Sequence, residues 1–220
     1  MYKLYWHPNT CSLAPMAILE EIGVPYDSHE LNYEGGEHRR PHYLRIHPLG
    51  LIPALGLENG ESMFESAAIV QFLCDRHMCL APSIEQPERC RFLQWLYFMS
   101  NTLYPSYNRI SWPERYTATP KGAAKVKSQA RHTVLKQWQV IENALSRNGP
   151  WLLGHSFSAC DIYLQMVTTW HEDPADLLDT FPHIRSLARG VIAREACSRA
   201  VQRHKAKTGF GFEAETRNSA

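Results

Sequence analysis

The chain has 220 residues, with 44% hydrophobic and 20% charged residues and a formal net charge of +1 at pH 7. This length allows one large or two small domains with buried cores, and the composition is ordinary for a globular protein. Because the net charge is close to zero, there is no electrostatic reason to expect nucleic acid or a membrane surface as a partner. No run approaches the ~18 apolar residues of a membrane span, and the N-terminus lacks a signal-peptide pattern, so we expect a cytoplasmic protein.

The six cysteines are scattered, and their spacings are not those of metal ligands. Cys74 and Cys79, for example, are five residues apart, which is not the spacing of a zinc ribbon. We therefore predict no metal site and interpret the cysteines as reduced thiols, most of them small buried hydrophobic residues.

The first 23 residues predict a strand, a turn and a helix. An apolar and aromatic run over 2–6 has the length of one strand, and a helical apolar spacing then continues to a stop at Gly23. The residues crowded at the start of this helix are Asn9, Thr10, Cys11 and Ser12. Backbone N–H groups and the positive end of the helix dipole stabilise anions and thiolates there. Either Cys11 has a lowered pKa, or its neighbours donate hydrogen bonds to a bound thiolate.

A second strand is predicted over 25–31, and its short distance from the helix predicts a parallel, right-handed strand–helix–strand unit. The polar loop that follows carries His38, Arg39 and Arg40. These side chains suit either a solvated loop or a clamp for a carboxylate group.

Prolines and glycines flank a short predicted strand over 54–57, and Asn59-Gly60 predicts a tight hairpin after it. Pro53 is compatible with the first position of a strand, where its missing N–H costs no ladder hydrogen bond. A cis bond before Pro53 would expose the backbone of Ile52 to a peptide-like ligand.

Glu65 and Ser66 open the next helix, whose apolar stripe contains Ile69, Phe72 and Leu73. Ser66 has two interpretations. It is either a simple helix cap, or it binds a carboxylate at the helix dipole while Glu65 binds a neighbouring ammonium group. An amino acid carries both of those charges.

Together these residues resemble the glutathione S-transferase superfamily. The order of strands and helices is that of the family's thioredoxin-like domain, and the Pro-x-Gly-x-Ile-Pro-x-Leu stretch over 48–55 and the Glu65-Ser66 pair match its motifs. The Cys11-Ser12-Leu13 step is most similar to the bacterial Beta class. The resemblance implies an α/β N-terminal thioredoxin-like domain plus an all-α C-terminal helical domain, the glutathione transferase fold.

The resemblance also implies glutathione as the co-substrate and a homodimer as the assembly. The cysteinyl part of glutathione would pair with the backbone of Ile52, ahead of a cis Pro53, and Glu65 and Ser66 would hold the γ-glutamyl end. The candidates for binding the glycine carboxylate are His38, Arg39 and Arg40.

We predict a glutathione-binding domain over 1–77, a linker over 78–87, a helical domain over 88–207 that contributes the hydrophobic substrate site, and a loose tail over 208–220. The helical domain opens with an amphipathic helix whose apolar positions are Phe92, Trp95, Leu96, Met99 and Leu103. Aromatic residues beyond this stripe are either core residues or, by the resemblance, the wall of an apolar pocket for the second substrate: Tyr104, Tyr107, Trp112 and Tyr116.

Later helices are predicted over 130–145, 182–194 and 196–205. Between the first two of these, Ser158 and Asp161 have the spacing of a capping box at the start of a further helix. We assign Asp161 to stability rather than to catalysis.

Our first hypothesis is a glutathione transferase that conjugates the glutathione thiolate to a hydrophobic electrophile. The thiol of glutathione has a reference pKa of ~8.5, and lowering it by ~2 units corresponds to about 2.7 kcal/mol of stabilisation of the thiolate. We assign this stabilisation to the start of the helix, with Cys11 as the first candidate for the activating residue. Ser12, Thr10 and Asn9 are the reserves. The alternatives are thiol–disulfide exchange or deglutathionylation through Cys11, and a non-catalytic binding protein on the same fold. Ala14 leaves no Cys-x-x-Cys pair for dithiol chemistry.

Overall fold

The computed structural model describes residues 1–210. Its N-terminal domain contains β1 (Tyr2–Trp6), α1 (Leu13–Ile22), β2 (Tyr26–Glu30), α2 (Pro41–Leu44), β3 (Ala54–Gly56), β4 (Ser62–Phe64) and α3 (Ser66–His77). This order is the one expected for a thioredoxin-like domain, so the predicted fold class is confirmed. The resemblance implied the short helix α2, which lies at the end of the polar loop, but the residue pattern alone did not predict it.

The strands form one mixed sheet in the order β2-β1-β3-β4. β1 is parallel to β2, with Tyr2 opposite Tyr26, which confirms the predicted parallel unit. β3 is antiparallel to both β1 and β4, so the predicted hairpin is also present.

Helix α1 is enclosed by protein over most of its length. Residues 13–19 are all buried, because α1 packs against α3 within its own domain and against α7 and α10 of the helical domain. The helix ends at Gly23, whose φ of +75° suits glycine and whose N–H donates to the Leu19 carbonyl oxygen. The turn from β1 into α1 is therefore held at the junction of the two domains.

The C-terminal domain contains α4 (Arg89–Phe98), a π-helical turn (Met99–Leu103), α5 (Tyr104–Ser111), α6 (Pro120–Asn148), α7 (Ala159–Thr168), α8 (Pro174–Thr180), α9 (Pro182–Ile192) and α10 (Glu195–Arg203). The five predicted apolar positions of its first helix are all buried. That helix is interrupted by the π-helical turn, which was not predicted, and α8 was not predicted either. Among the described residues, no helix is long and apolar enough to cross a membrane.

The capping box at α7 is present. The Ser158 N–H donates to the Asp161 carboxylate at 2.8 Å, and the Leu152 N–H donates to its other oxygen at 2.9 Å. Burial raises the pKa of Asp161 to about 7, while these hydrogen bonds act in the opposite direction. Asp161 thus joins the loop before α7 to its first turn.

Charged pairs join α1 and α3 to helices of the C-terminal domain. Arg89 on α4 makes a two-pronged contact with Asp75 on α3, at 2.6 and 2.8 Å. Arg194, before α10, contacts Glu21 on α1 in the same way, at 2.8 and 2.6 Å. Such bidentate geometry fixes the relative orientation of the paired elements.

The start of the predicted loose tail is packed. Thr208 is buried, and the ring of Phe210 lies 5.5 Å below the Arg189 guanidinium. The rest of that prediction, over 211–220, lies outside the described residues. All six cysteines are free.

Candidate active site at the domain junction

Cys11 lies two residues before α1 and is 5% exposed. Its Sγ is 3.3 Å from the Ile52 carbonyl oxygen and 3.4 Å from the Tyr104 hydroxyl oxygen. Ile52 belongs to the loop before β3, and Tyr104 is the first residue of α5. The thiol is therefore enclosed by both domains, and Tyr104 contacts it directly.

The position of Cys11 favours the neutral thiol. Burial raises the pKa of Cys11, and the nearby charge of Glu65 acts in the same direction. The hydroxyl groups of Tyr104 and Ser66 lower it by a smaller amount. The structure thus contradicts the lowered pKa considered from the sequence, because the helical domain covers a thiol that the local pattern leaves at an open helix start.

The other candidates at this turn have different surroundings. The Thr10 hydroxyl donates to the His7 carbonyl oxygen at 2.8 Å and lies 2.6 Å from the Ser12 hydroxyl. Ser12 is fully buried, so both hydroxyl groups stabilise the turn. Asn9 is exposed, with a φ of +57° that asparagine adopts more readily than most residues.

The loop that presents Ile52 is tightly held. The Ile52–Pro53 peptide bond is cis, as the resemblance implied. The Tyr43 hydroxyl donates to the Leu51 carbonyl oxygen at 2.6 Å. Gly50 has a φ of +61°, and a side chain there would collide with the His38 carbonyl oxygen. The backbone next to Cys11 is therefore fixed before any ligand arrives.

Glu65 and Ser66 lie at the start of α3. Glu65 is exposed and has φ +71° and ψ +107°, a conformation that is strained for a residue with a side chain. Ser66 is buried, and its hydroxyl oxygen is 2.8 Å from the hydroxyl oxygen of Tyr163 on α7. The Ser66 hydroxyl is thus engaged by the helical domain, while its backbone N–H belongs to the first turn of α3, where N–H groups lack intrahelical acceptors.

The basic loop lies against the Ile52 loop through the contact between His38 and Gly50. His38 is buried, stacks on Tyr33 at 4.0 Å and accepts a hydrogen bond from Arg39 Nε at 3.1 Å. Burial, with the charge of Arg39, lowers the pKa of His38, so this ring is a poor cationic anchor. Arg39 and Arg40 are exposed, so a ligand can reach their guanidinium groups.

The four predicted pocket aromatics are separated by the structure. Tyr104 is half-buried and lies 4.6 Å from the ring of Trp170, close to Cys11. Trp112 and Tyr116 are each 44% exposed. Tyr104 is the first residue of α5 and Trp112 follows its last, so the length of the helix, about 12 Å, lies between them. Tyr107 is 3% exposed and accepts a hydrogen bond from Trp138 at 2.7 Å. The prediction that Tyr107 lines the substrate pocket is therefore wrong, because its side chain is buried in the core of the helical domain.

Sequence reasoning missed Tyr163, Trp170 and the contact of Tyr104 with the thiol. Tyr104 is 93 residues from Cys11, and Tyr163 is 97 residues from Ser66. The apolar pattern of α7 places Tyr163 among core residues and gives no sign of its hydroxyl partner. Trp170 follows the end of α7, where no motif marks it.

Models of known protein families match the sequences of both domains. The model described as glutathione S-transferase, N-terminal domain, matches residues 10–76, and the one described as glutathione S-transferase, C-terminal domain, matches residues 92–195. The chain belongs to the glutathione S-transferase family.

Its relatives have different activities by name. Glutathione S-transferase GstA of Escherichia coli O157:H7 is 28% identical over 200 residues, with 87% of this chain and 93% of that protein covered. Disulfide-bond oxidoreductase YfcG of Escherichia coli K12 is 28% identical over 208 residues, with 91% and 94% covered. The glutathione transferase URE2P6 from Phanerochaete chrysosporium, solved in complex with oxidized glutathione, is 27% identical with a TM-score of 0.78, and 93% of this chain and 96% of that chain are covered. Membership of the family therefore does not fix the reaction.

Proposed function

We propose that this protein is a glutathione transferase that conjugates the glutathione thiolate to a hydrophobic electrophile. The observation that carries the proposal is the 3.3 Å contact between Cys11 Sγ and the Ile52 carbonyl oxygen. Ile52 is the residue whose backbone would pair with the cysteinyl part of glutathione. A ligand paired there has its own sulfur beside Cys11.

The ends of glutathione have partners of suitable charge. The γ-glutamyl carboxylate fits the free N–H groups at the start of α3, beginning at Ser66, where the helix dipole is positive. The exposed carboxylate of Glu65 is next to this point and suits the ammonium group. Arg39 or Arg40 suits the glycine carboxylate, because guanidinium groups bind carboxylates with two hydrogen bonds.

Cys11 acts in this proposal as a neutral hydrogen-bond donor. Its raised pKa keeps the S–H proton in place, so the group donates to the glutathione thiolate and lowers the pKa of that thiol. Tyr104 donates to Cys11 Sγ and so makes the Cys11 proton a better donor. With an aryl halide, the glutathione sulfur forms the new carbon–sulfur bond, the halide leaves with its electron pair, and the thiol proton goes to solvent.

The second substrate would bind against Tyr104 and Trp170. Their rings are 4.6 Å apart, and Tyr104 contacts Cys11, so an aromatic electrophile stacked there is next to the reacting sulfur. Trp112 and Tyr116 would extend this surface toward solvent. Arg115 lies over the Trp112 ring at 4.7 Å and Arg109 over the Tyr116 ring at 5.0 Å.

The test combines binding and turnover. Isothermal titration calorimetry with reduced glutathione should give binding heat, and an activated aryl halide should be conjugated. Cys11→Ala should lower kcat/KM for conjugation by about tenfold to a hundredfold, the range for the loss of one hydrogen bond to a charged group. Cys11→Ser, which keeps a donor, should retain more activity. The absence of binding heat in the unaltered protein would refute the proposal.

Thiol–disulfide exchange through Cys11 is the second candidate, favoured by the similarity to a disulfide-bond oxidoreductase. The Cys11 thiolate would attack the glutathionyl sulfur of a mixed disulfide and release the other thiolate. A second glutathione thiolate would then attack the Cys11–glutathione disulfide, which regenerates Cys11 and forms oxidised glutathione. If Cys11→Ala abolishes disulfide reduction but leaves conjugation intact, this reaction is the function of Cys11.

Binding of glutathione without turnover of either substrate class would instead indicate a non-catalytic binding protein.

We also propose that the protein is a homodimer and acts in detoxification in the cytoplasm. Leu49 and Leu51 are 76% and 51% exposed, and burial of such apolar groups favours association. Analytical ultracentrifugation should therefore give twice the chain mass, and Leu49→Glu should shift the equilibrium toward the monomer.

A further inference from the structure

The Cys11 thiol makes two hydrogen bonds with opposite effects on its ionisation. Its S–H donates to the Ile52 carbonyl oxygen at 3.3 Å, and its sulfur accepts from the Tyr104 hydroxyl at 3.4 Å. A bond donated by the S–H stabilises the neutral thiol, because the thiolate cannot make it. A bond donated by Tyr104 stabilises the thiolate. The balance between the two therefore depends on whether the carbonyl is available.

The Ile52 carbonyl lies outside the sheet ladder. The pairing between β1 and β3 runs over Ala54–Gly56, so Ile52 is beyond its end. The carbonyl is also unable to turn away easily, because Tyr43 holds the adjacent Leu51 carbonyl at 2.6 Å and Gly50 lies against His38. A ligand N–H that approaches this carbonyl must compete with the Cys11 S–H.

A backbone amide is the stronger competitor. An N–H donor makes a better hydrogen bond to a carbonyl oxygen than the weakly polar S–H does. Ile52 is half-buried, so the residue is partly open to an approaching ligand. The bound amide would displace the S–H and leave Cys11 with Tyr104 as its hydrogen-bond partner.

We propose that the Ile52 carbonyl is a specificity-determining group, which keeps Cys11 in its protonated, inward-facing form until a ligand with a peptide N–H takes its place. This inference rests on the proposed function, since it takes glutathione as the ligand. Small thiols and disulfides without an amide leave the S–H on Ile52. A γ-glutamylcysteinyl ligand frees it, either to donate to the ligand sulfur or to ionise.

The other groups near Cys11 do not change charge in a way that would lower its pKa as the ligand amide does. Tyr104, Tyr163 and Tyr43 all have pKa values raised above the ordinary value, mainly by burial, so they stay neutral. Glu65 contributes a negative charge that opposes the thiolate. The hydroxyl of Ser66 is fixed by Tyr163 and carries no charge.

The experiment measures the pKa of Cys11 from the ultraviolet absorbance of its thiolate, as the difference between the unaltered protein and Cys11→Ser. The ligands are S-methylglutathione, whose sulfur cannot ionise, and its depsipeptide analogue, in which an ester oxygen replaces the cysteinyl N–H. Both cover the thiol to the same extent, so their comparison isolates the hydrogen bond. The Cys11 pKa should be lower with the amide ligand by roughly half a unit to one unit, the size of one weak hydrogen bond.

Equal pKa values with the two saturating ligands would overturn the inference and leave the proposed function intact. No binding heat with S-methylglutathione would overturn both. Tyr104→Phe is the matched variant: the Cys11 pKa should rise in the free and bound protein, while the lowering caused by S-methylglutathione persists. If that lowering disappears in Tyr104→Phe, it belongs to Tyr104 and the role of Ile52 is refuted.

Discussion

His204 should make the protein sensitive to acid. It follows α10, is fully buried, and its ring lies 4.9 Å from that of Trp6 on β1. Neither ring nitrogen has a hydrogen-bond partner among residues 1–210. Burial, with the nearby His7 and Arg203, lowers the pKa of His204 from its ordinary value of 6.5 to about 3. The folded protein therefore holds this ring in its neutral form.

The sign and size of the effect follow from proton linkage. The unfolded chain takes up a proton at His204 below a pKa of 6.5, whereas the folded protein does so only near 3. His204 thus contributes stability that is present above 6.5 and is lost as the pH falls toward 3. At about pH 5 the loss is about 2 kcal/mol relative to neutral pH, and its limit at lower pH is about 4 to 5 kcal/mol.

The assay is urea unfolding of the unaltered protein and His204→Phe at several pH values. Phenylalanine keeps a ring against Trp6 and does not titrate, so the unaltered protein should lose about 2 kcal/mol relative to the variant between neutral pH and about pH 5. His155→Gln is the control, because it removes an exposed histidine instead of a buried one. Parallel profiles for His204→Phe and the unaltered protein would refute the reasoning.

Three further predictions concern the site and its supports. Tyr104→Phe should raise the Cys11 pKa and slow site-resolved alkylation of Cys11 at neutral pH, and an unchanged rate would contradict the role of the hydroxyl. Ser158→Ala should lower the free energy of unfolding by roughly 1 kcal/mol or somewhat more, with a negligible shift in the urea midpoint as the contrary result. Gly50→Ala should destabilise the protein by about 1 kcal/mol or more and weaken glutathione binding, because φ is +61° there and the methyl group meets the His38 carbonyl oxygen. Equal affinity measured by calorimetry would show that the loop tolerates the change.

Hydrophobic periodicity predicted much of the fold because the elements concerned have one buried face. β1 alternates between buried and half-buried residues, and α6 buries the predicted Ala130, Val134 and Trp138 at helical spacing. The π-helical turn was missed because Met99 and Leu103 keep the spacing of an unbroken helix. The short α8 has a proline at its start and too few residues to establish a period.

The candidate site was predicted in part. The motifs located Ile52, Glu65 and Ser66 on the N-terminal domain, since each belongs to a local turn or helix start. The environment of Cys11 was not predictable in the same way. Its pKa depends on Tyr104 and on burial by the other domain, and these are contacts between residues far apart in the chain. Local sequence reports a helix start, and the tertiary structure decides whether water reaches it.

Helix α1 is buried by both domains, and this limits whether the two domains can be separated. Residues 13–19 are covered partly by α7 and α10, so cutting the chain after α3 would expose a continuous apolar helix to water. The isolated N-terminal domain would therefore tend to aggregate, and Cys11 would lose its contact with the Tyr104 hydroxyl. Chimaeras made by exchanging whole domains should therefore fold best when the two parent proteins have the same residues where α1 packs against α7 and α10.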